Sequence, residues 1–191
     1  MLSAPLGDGA ELCPLEPWQA AELAAYTDRV RGHLTPWLPW AHSVTDTASA
    51  RSFLQRYADE QAADRGRLYG IRLDGALVGG MMFRLFDVRE GSCELGAWLA
   101  PEAQGRGLVT TAARRMIDWA VGERGIARVE WLVSPANGPS IAVAERLGMT
   151  YEGTLRSVFA MGGQRHDLQV WALLAEEWRA AAGRERGGAG S

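Results

Sequence analysis

Hydrophobic positions along the chain change their period several times, and each change marks an element. From Gly9 to Leu15 the spelling predicts a first strand. Pro17 ends it, and Leu23, Tyr26 and Val30 then fall on one side of a short helix over Trp18 to Val30. His33 to His42 contains two prolines together with Trp37 and Trp40. Prolines at that spacing stop a long regular helix, so a loop or broken helix rich in aromatic surface is expected. Thr45 or Asp46 caps the next helix, which runs to about Asp64 with Ala50, Phe53, Leu54 and Tyr57 at helical spacing.

A meander of three strands follows: Leu68 to Leu73, the turn Asp74-Gly75, Leu77 to Phe86, and Cys93 to Ala100. Residues 105–122 switch to a helical period. Leu108, Ala112, Met116 and Ala120 share one face, and Arg114, Arg115 and Asp118 the other. Arg128 to Val133 predicts a strand, and Ser140 to Leu147 a short helix stopped by Gly148. Two more strands are expected over about 149–160 and 165–174. The order β-α-α-β-β-β-α-β-α-β-β describes an α+β or mixed α/β sheet and not a regular doubly wound one. Residues 1–8, with glycine and proline, and the tail 183–191, GRERGGAGS, have little to bury and are expected to be flexible.

Composition narrows the function classes. The 191 residues suffice for one domain with a substantial core. A net charge of -3 gives no electrostatic footprint for general nucleic-acid binding. All 20 basic residues are arginine, which excludes a lysine nucleophile or Schiff base. Cys13 and Cys93 are the only cysteines and predict reduced thiols in a cytoplasmic protein. No window approaches the length of a membrane span. His33, His42 and His166 lack metal-ligand spacing, so no metal is assigned.

The segment Gln104-Gly105-Arg106-Gly107 leads from a strand end at Pro101-Glu102-Ala103 straight into a helix. A helix start offers unpaired amides and the positive end of its dipole, and glycines before it let the backbone approach an anion. Arg106 adds a charge suited to a phosphate. The turn lacks the lysine of a nucleoside-triphosphate loop, and its spacing fails the dinucleotide fingerprint. By itself the glycine pair serves an ordinary strand-to-helix turn equally well.

Glu94-Leu95-Gly96-Ala97-Trp98-Leu99, then Pro101-Glu102-Ala103-Gln104-Gly105-Arg106-Gly107, then Asn137-Gly138-Pro139-Ser140 and Glu145-Arg146-Leu147-Gly148-Met149 stand in one order. Together they resemble the GNAT acyltransferase superfamily, in its branch of ribosomal-protein N-terminal acetyltransferases. The resemblance covers about residues 9–175 and is strongest over 93–153. It implies a single GNAT domain over about 9–180, a twisted mixed sheet of six or seven strands with helices on both faces. It also implies an enzyme moving an acetyl or other short acyl group from acyl-CoA to a primary amine, by direct attack in a ternary complex. The coenzyme pyrophosphate then sits on Gln104, Gly105, Arg106, Gly107, Leu108, Val109 and Thr110. Position 109 is Val where the family usually has Gly or Ala, although its amide remains available.

The resemblance also distributes roles. Glu94 shares a strand face with Gly96 and Trp98 and becomes the base toward the acceptor amine. Read alone, it is equally a strand-end carboxylate in solvent or paired with an arginine. Ser140 becomes the acid toward the coenzyme thiolate, and Asn137 holds the pantetheine arm. The same two residues suit an ordinary helix cap and first turn. A backbone amide near Trp98 or Leu99 is expected to meet the oxyanion, where the family splays this strand from the one at 128–133. Cys93 alternates away from Glu94 toward the core, and a covalent cysteine route lacks a nearby histidine.

The acceptor pocket is expected beside the His33–His42 loop, with Trp37 and Trp40 as its wall or as plugs beneath the first helices. Acidic balance suits a cationic amine. It leaves open a protein N-terminus, a polyamine, an amino sugar or an aminoacyl-nucleotide, a succinyl donor, and a non-catalytic acyl-CoA-binding module. Homodimers are common in this branch, and Trp171 and Trp178 serve either an interface or the core.

Overall fold

The computed structural model of the chain describes residues 3–188. Eight strands form one mixed sheet: β1 (Ala4–Gly7), β2 (Ala10–Pro14), β3 (Arg67–Leu73), β4 (Ala76–Asp87), β5 (Ser92–Leu99), β6 (Arg128–Val133), β7 (Thr150–Met161) and β8 (Gln164–Leu174). Their spatial order is β1-β2-β3-β4-β5-β6-β8-β7. Every neighbouring pair is antiparallel except β5 with β6. The count exceeds the six or seven expected because Ala4–Gly7 adds an edge strand. Gly7, Asp8 and Gly9 all take positive φ and turn the chain back onto β2, while Leu6 packs on the core.

Six helices cover the two faces: α1 (Ala20–Leu34), α2 (Trp40–Ser43), α3 (Thr47–Ala62), α4 (Leu108–Glu123), α5 (Gly138–Arg146) and α6 (Ala175–Gly188). Asp46 caps α3, its carboxylate accepting from Ser49 N at 2.7 Å while the Ser49 hydroxyl answers the Asp46 amide at 3.0 Å. Two hydrophobic clusters lie on opposite sides of the sheet. Leu23, Tyr26, Leu54 and Trp98 belong to the one under α1 and α3. Met116, Ile117, Leu95 and Trp178 belong to the one under α4 and α6. Trp178 thus serves the core, with its Nε1 donating to Asp118 Oδ1 at 2.8 Å.

The helix expected to reach Asp64 stops at Ala62, because Asp64 turns at φ +59. Its carboxylate then accepts from Arg67 at 2.6 Å and Arg124 at 2.5 Å. Both guanidinium groups lie over the Trp119 ring, at 4.6 and 5.3 Å, which ties the corner after α3 to the end of α4. Among the described residues no helix is long and apolar enough to cross a membrane.

Candidate active site

The only parallel neighbours in the sheet, β5 and β6, pair over four residues and then part. Register runs from Ser92 opposite Arg128 to Leu95 opposite Trp131. Beyond that point Gly96–Leu99 stay paired to β4, and Leu132 and Val133 stay paired to β8. The sheet therefore opens along a seam in its middle. Ala100 N donates to Val78 O of β4 at 2.7 Å. Alternate amides of a strand point to opposite edges, so the Leu99 and Ala97 amides face the seam.

An open cleft of about 1890 Å³ follows this seam. Glu94, Trp98 and Leu99 line it from β5, and Asn137 and Ser140 from the start of α5. Gln104, Gly105, Gly107, Leu108, Val109 and Thr110 line it from the turn into α4. Arg106 is exposed and is not among the lining residues. The basic side chain that does line the cleft beside the turn is Arg146, whose Nε donates to Thr110 Oγ1 at 3.3 Å.

The turn departs from the expected helix start at 105. Gly105 at φ +77 and Gly107 at φ +71 are left-handed, and α4 begins at Leu108. A Cβ built on either glycine meets nothing within 4 Å, so the backbone is bare toward open space. That is the form an anion cradle at a helix N-terminus takes, and these residues fit a pyrophosphate. Val109 turns its side chain toward the core cluster, which leaves its amide at the helix start. Gln104 Nε2 stands 3.1 Å from His33 Nε2, joining the turn to the end of α1.

Glu94 is neither free nor wholly exposed. Its side chain keeps 15% exposure and accepts from Arg84 Nη1 at 2.6 Å. Burial raises its carboxyl pKa above the ordinary value; Arg84 pulls it back and Glu130 pushes it up again. Glu130 is the register neighbour of Glu94 across the closed half of the seam and is itself held by Arg128 at 2.7 Å. Arg84 sits at a bulge in β4. Phe83 pairs with Leu95 and Leu85 with Glu94, so Arg84 is the extra residue.

Ser140 Oγ accepts from Trp131 Nε1 at 3.0 Å, so its own hydroxyl proton can be given to a second acceptor. Asn137 caps α5 through Oδ1, which accepts from Ser140 N at 3.2 Å, and its amide nitrogen keeps its donors. Trp98 is 3% exposed. Its ring fits because a Cβ at Gly80 would lie 2.1 Å from Trp98 Cζ2. An aromatic series continues from it, Trp98 to Trp40 at 5.1 Å, Trp40 to Phe53 at 5.0 Å and Phe53 to Tyr57 at 5.4 Å. Trp40 therefore packs against the core under α1 and α3 and, like Trp37, also lines the cleft. Cys93 is buried and its thiol is pushed up to about 12, which removes it as a nucleophile.

Arg84, Trp131, Arg146 and His33 are not marked in the sequence, since each acts through a partner on another element, Arg146 and His33 with partners 36 and 71 residues away. Arg84 meets Glu94 only across the β4–β5 pairing, which the local spelling does not register.

Comparison with known proteins identifies the family and the fold. A family model described as an acetyltransferase (GNAT) domain matches residues 13–150. "Putative ribosomal N-acetyltransferase YdaF" of Bacillus subtilis (strain 168) is 32% identical over 169 residues, covering 86% of this chain and 90% of that protein. Mycobacterium smegmatis RimJ in complex with CoA-disulfide superposes with a TM-score of 0.81 at 28% identity, covering 92% and 90% of the two chains. RimL, a ribosomal L7/L12 alpha-N-protein acetyltransferase in complex with coenzyme A, shares the fold with a TM-score of 0.85 at 22% identity, covering 92% and 99%.

Proposed function

The chain belongs to the acetyltransferase (GNAT) family and is a coenzyme-A-dependent N-acetyltransferase, and from that premise we propose that its acceptor is a protein N-terminal α-amine. The observation that carries the reading is the convergence on one cleft of the left-handed turn, the opened seam and two side chains fit for proton transfer, Glu94 and Ser140. Similarity to YdaF, named a putative ribosomal N-acetyltransferase, supports the choice of a ribosomal-protein terminus.

The chemistry needs a neutral amine, donors for a developing oxyanion and a proton for the departing thiolate. An α-amine with a pKa of about 8 is roughly one tenth neutral at pH 7, so a modest base suffices. Glu94 takes the amine proton as nitrogen attacks the thioester carbon. Its raised pKa brings it closer to that task than an ordinary carboxylate. The Leu99 amide, facing the seam, donates to the oxyanion. Ser140 gives its proton to the thiolate, oriented by Trp131. The turn from Gln104 to Thr110 and the Asn137 amide hold the coenzyme, which supplies the acyl thioester.

A second reading rests on the aromatic series from Trp98 to Tyr57, whose tilted and edge-on rings line the cleft and can enclose a small-molecule amine. One experiment separates the two. The protein is incubated with acetyl-, propionyl- and succinyl-CoA and a panel holding twenty peptides that differ in their first residue, a polyamine, an amino sugar and an aminoacyl-nucleotide. Mass spectrometry is expected to find acetylated peptide α-amines. Product on small amines alone would overturn the protein-terminus reading, and no acyl transfer to any amine would leave a binding module.

A further inference from the structure

We propose that Arg84 is a positioning residue that keeps the Glu94 carboxylate ionised and aimed along the cleft. This rests on the reading of Glu94 as the base. Three observations carry it.

The first is local geometry. Arg84 is the residue skipped within the β4–β5 register, between Phe83 opposite Leu95 and Leu85 opposite Glu94, and its guanidinium is 2.6 Å from Glu94. A regular strand would place residue 84 opposite Glu94 and displace the later residues by one. The bulge instead sets Arg84 and Leu85 both on the exposed, cleft-lining side, with Phe83 and Phe86 in the core.

The second is the charge around Glu94. From β6, Glu130 sits alongside it and is partnered by Arg128, which also holds Glu152 at 2.5 Å. From α3, Tyr57 donates to Met82 Sδ at 2.9 Å, and Arg56 and Glu60 line the same cleft. His166 lines it from β8. Arg84 alone among these gives Glu94 an ion pair. Two register-neighbour carboxylates disfavour each other's ionisation, and one arginine beside the more buried of them offsets that.

The third is exposure. Glu94 retains 15% of its side-chain surface and Arg84 46%, so the arginine can yield its place to an arriving ammonium while the carboxylate stays fixed. The ion pair holds the base in a productive rotamer until the acceptor replaces the guanidinium.

The test reads the carboxyl itself. Glutamate labelled with carbon-13 at its carboxyl gives a titration curve by NMR in the unliganded protein, with Glu94 identified by the signal lost in Glu94→Gln. In Arg84→Gln the Glu94 midpoint is expected to rise by about one unit or more, and Arg84→Lys is expected to restore most of the difference. The acid limb of kcat/KM, measured with acetyl-CoA and the most reactive peptide of the panel above, should move upward in step. Arg84 is on the surface, and the same spectra report whether each variant is folded. A Glu94 midpoint unchanged in Arg84→Gln overturns the proposal and leaves the base reading standing. A wild-type pH profile in Glu94→Gln removes the base reading, and this role with it.

Discussion

The two ends of the cleft are made of different material. At the turn into α4 the groups offered to the cleft are main-chain amides, presented by two left-handed glycines and a helix start. At the closed end of the seam the working groups are side chains, Glu94, Arg84 and Glu130, whose properties depend on one another. A backbone cradle tolerates many side chains and is damaged chiefly by losing its glycines. A side-chain cluster keeps its fold under substitution and loses its chemistry. The donor end is thus a matter of conformation, and the acceptor end a matter of charge.

The sharpest way to break that comparison is at Gly107. Gly107→Trp imposes a β-carbon at φ +71 and fills the open space before α4, so acetyl-CoA affinity in calorimetry should fall by about 100-fold or more. The Glu94 titration should remain where it was. Glu94→Gln should do the reverse. Coenzyme affinity stays near wild type, while kcat/KM at pH 6.5 drops by about 10² to 10³, the usual worth of a general base. That deficit shrinks as rising pH deprotonates the amine unaided.

Glu94→Gln also has a stability signature. The folded-state pKa of Glu94 lies above its unfolded value, so the ionised carboxylate disfavours the fold. The stabilising contribution of the protonated form is complete below the unfolded pKa and is lost as pH rises through the folded one. Above that window Glu94→Gln should melt no lower than wild type, which differential scanning calorimetry checks directly.

Between the two ends, Gly80→Ala tests whether they communicate through Trp98. Its Cβ would stand 2.1 Å from the Trp98 ring and 2.7 Å from Tyr69 O, and the backbone oxygen has little room to give. Overpacking of this kind costs about 1–3 kcal/mol, visible as a lowered Tm, with KM for the acceptor moving more than KM for acetyl-CoA. The smallest expected effect is Ser140→Ala. A thiol with a pKa of about 8.5 leaves tolerably without help, so kcat should fall by only about tenfold, with coenzyme affinity little changed.

The same division explains what could be read from the chain. The donor end is written in contiguous letters: Gln104 to Gly107 precede an amphipathic helix, and Asn137 and Ser140 cap the next one, as the structure places them. The seam was legible only through family resemblance, because no local spelling of β5 or β6 says where their pairing stops. At the acceptor end Glu94 could be named but not its state. Arg84 precedes it by ten residues, Glu130 follows by thirty-six, and only the antiparallel pairing of β4 and the parallel register of β6 bring them together. Strand β1 was missed for a simpler cause: four residues with a proline carry too little alternation to announce a strand, and only the Gly-Asp-Gly turn after them does so.

The opened seam has a thermodynamic consequence. A sheet that stops pairing at Leu95 and Trp131 leaves rungs of its ladder unclaimed in the middle of the molecule. A ligand with amides of its own, as pantetheine has, can act as a short guest strand there and complete those rungs. Binding of coenzyme would then do part of the work of folding. The proteins of a cell that keep this enzyme saturated with acetyl-CoA would also keep it more resistant to heat and proteolysis, by about 2.7 kcal/mol at a hundredfold excess over Kd. Depletion of the donor would register first as a looser sheet, before any acceptor went unmodified.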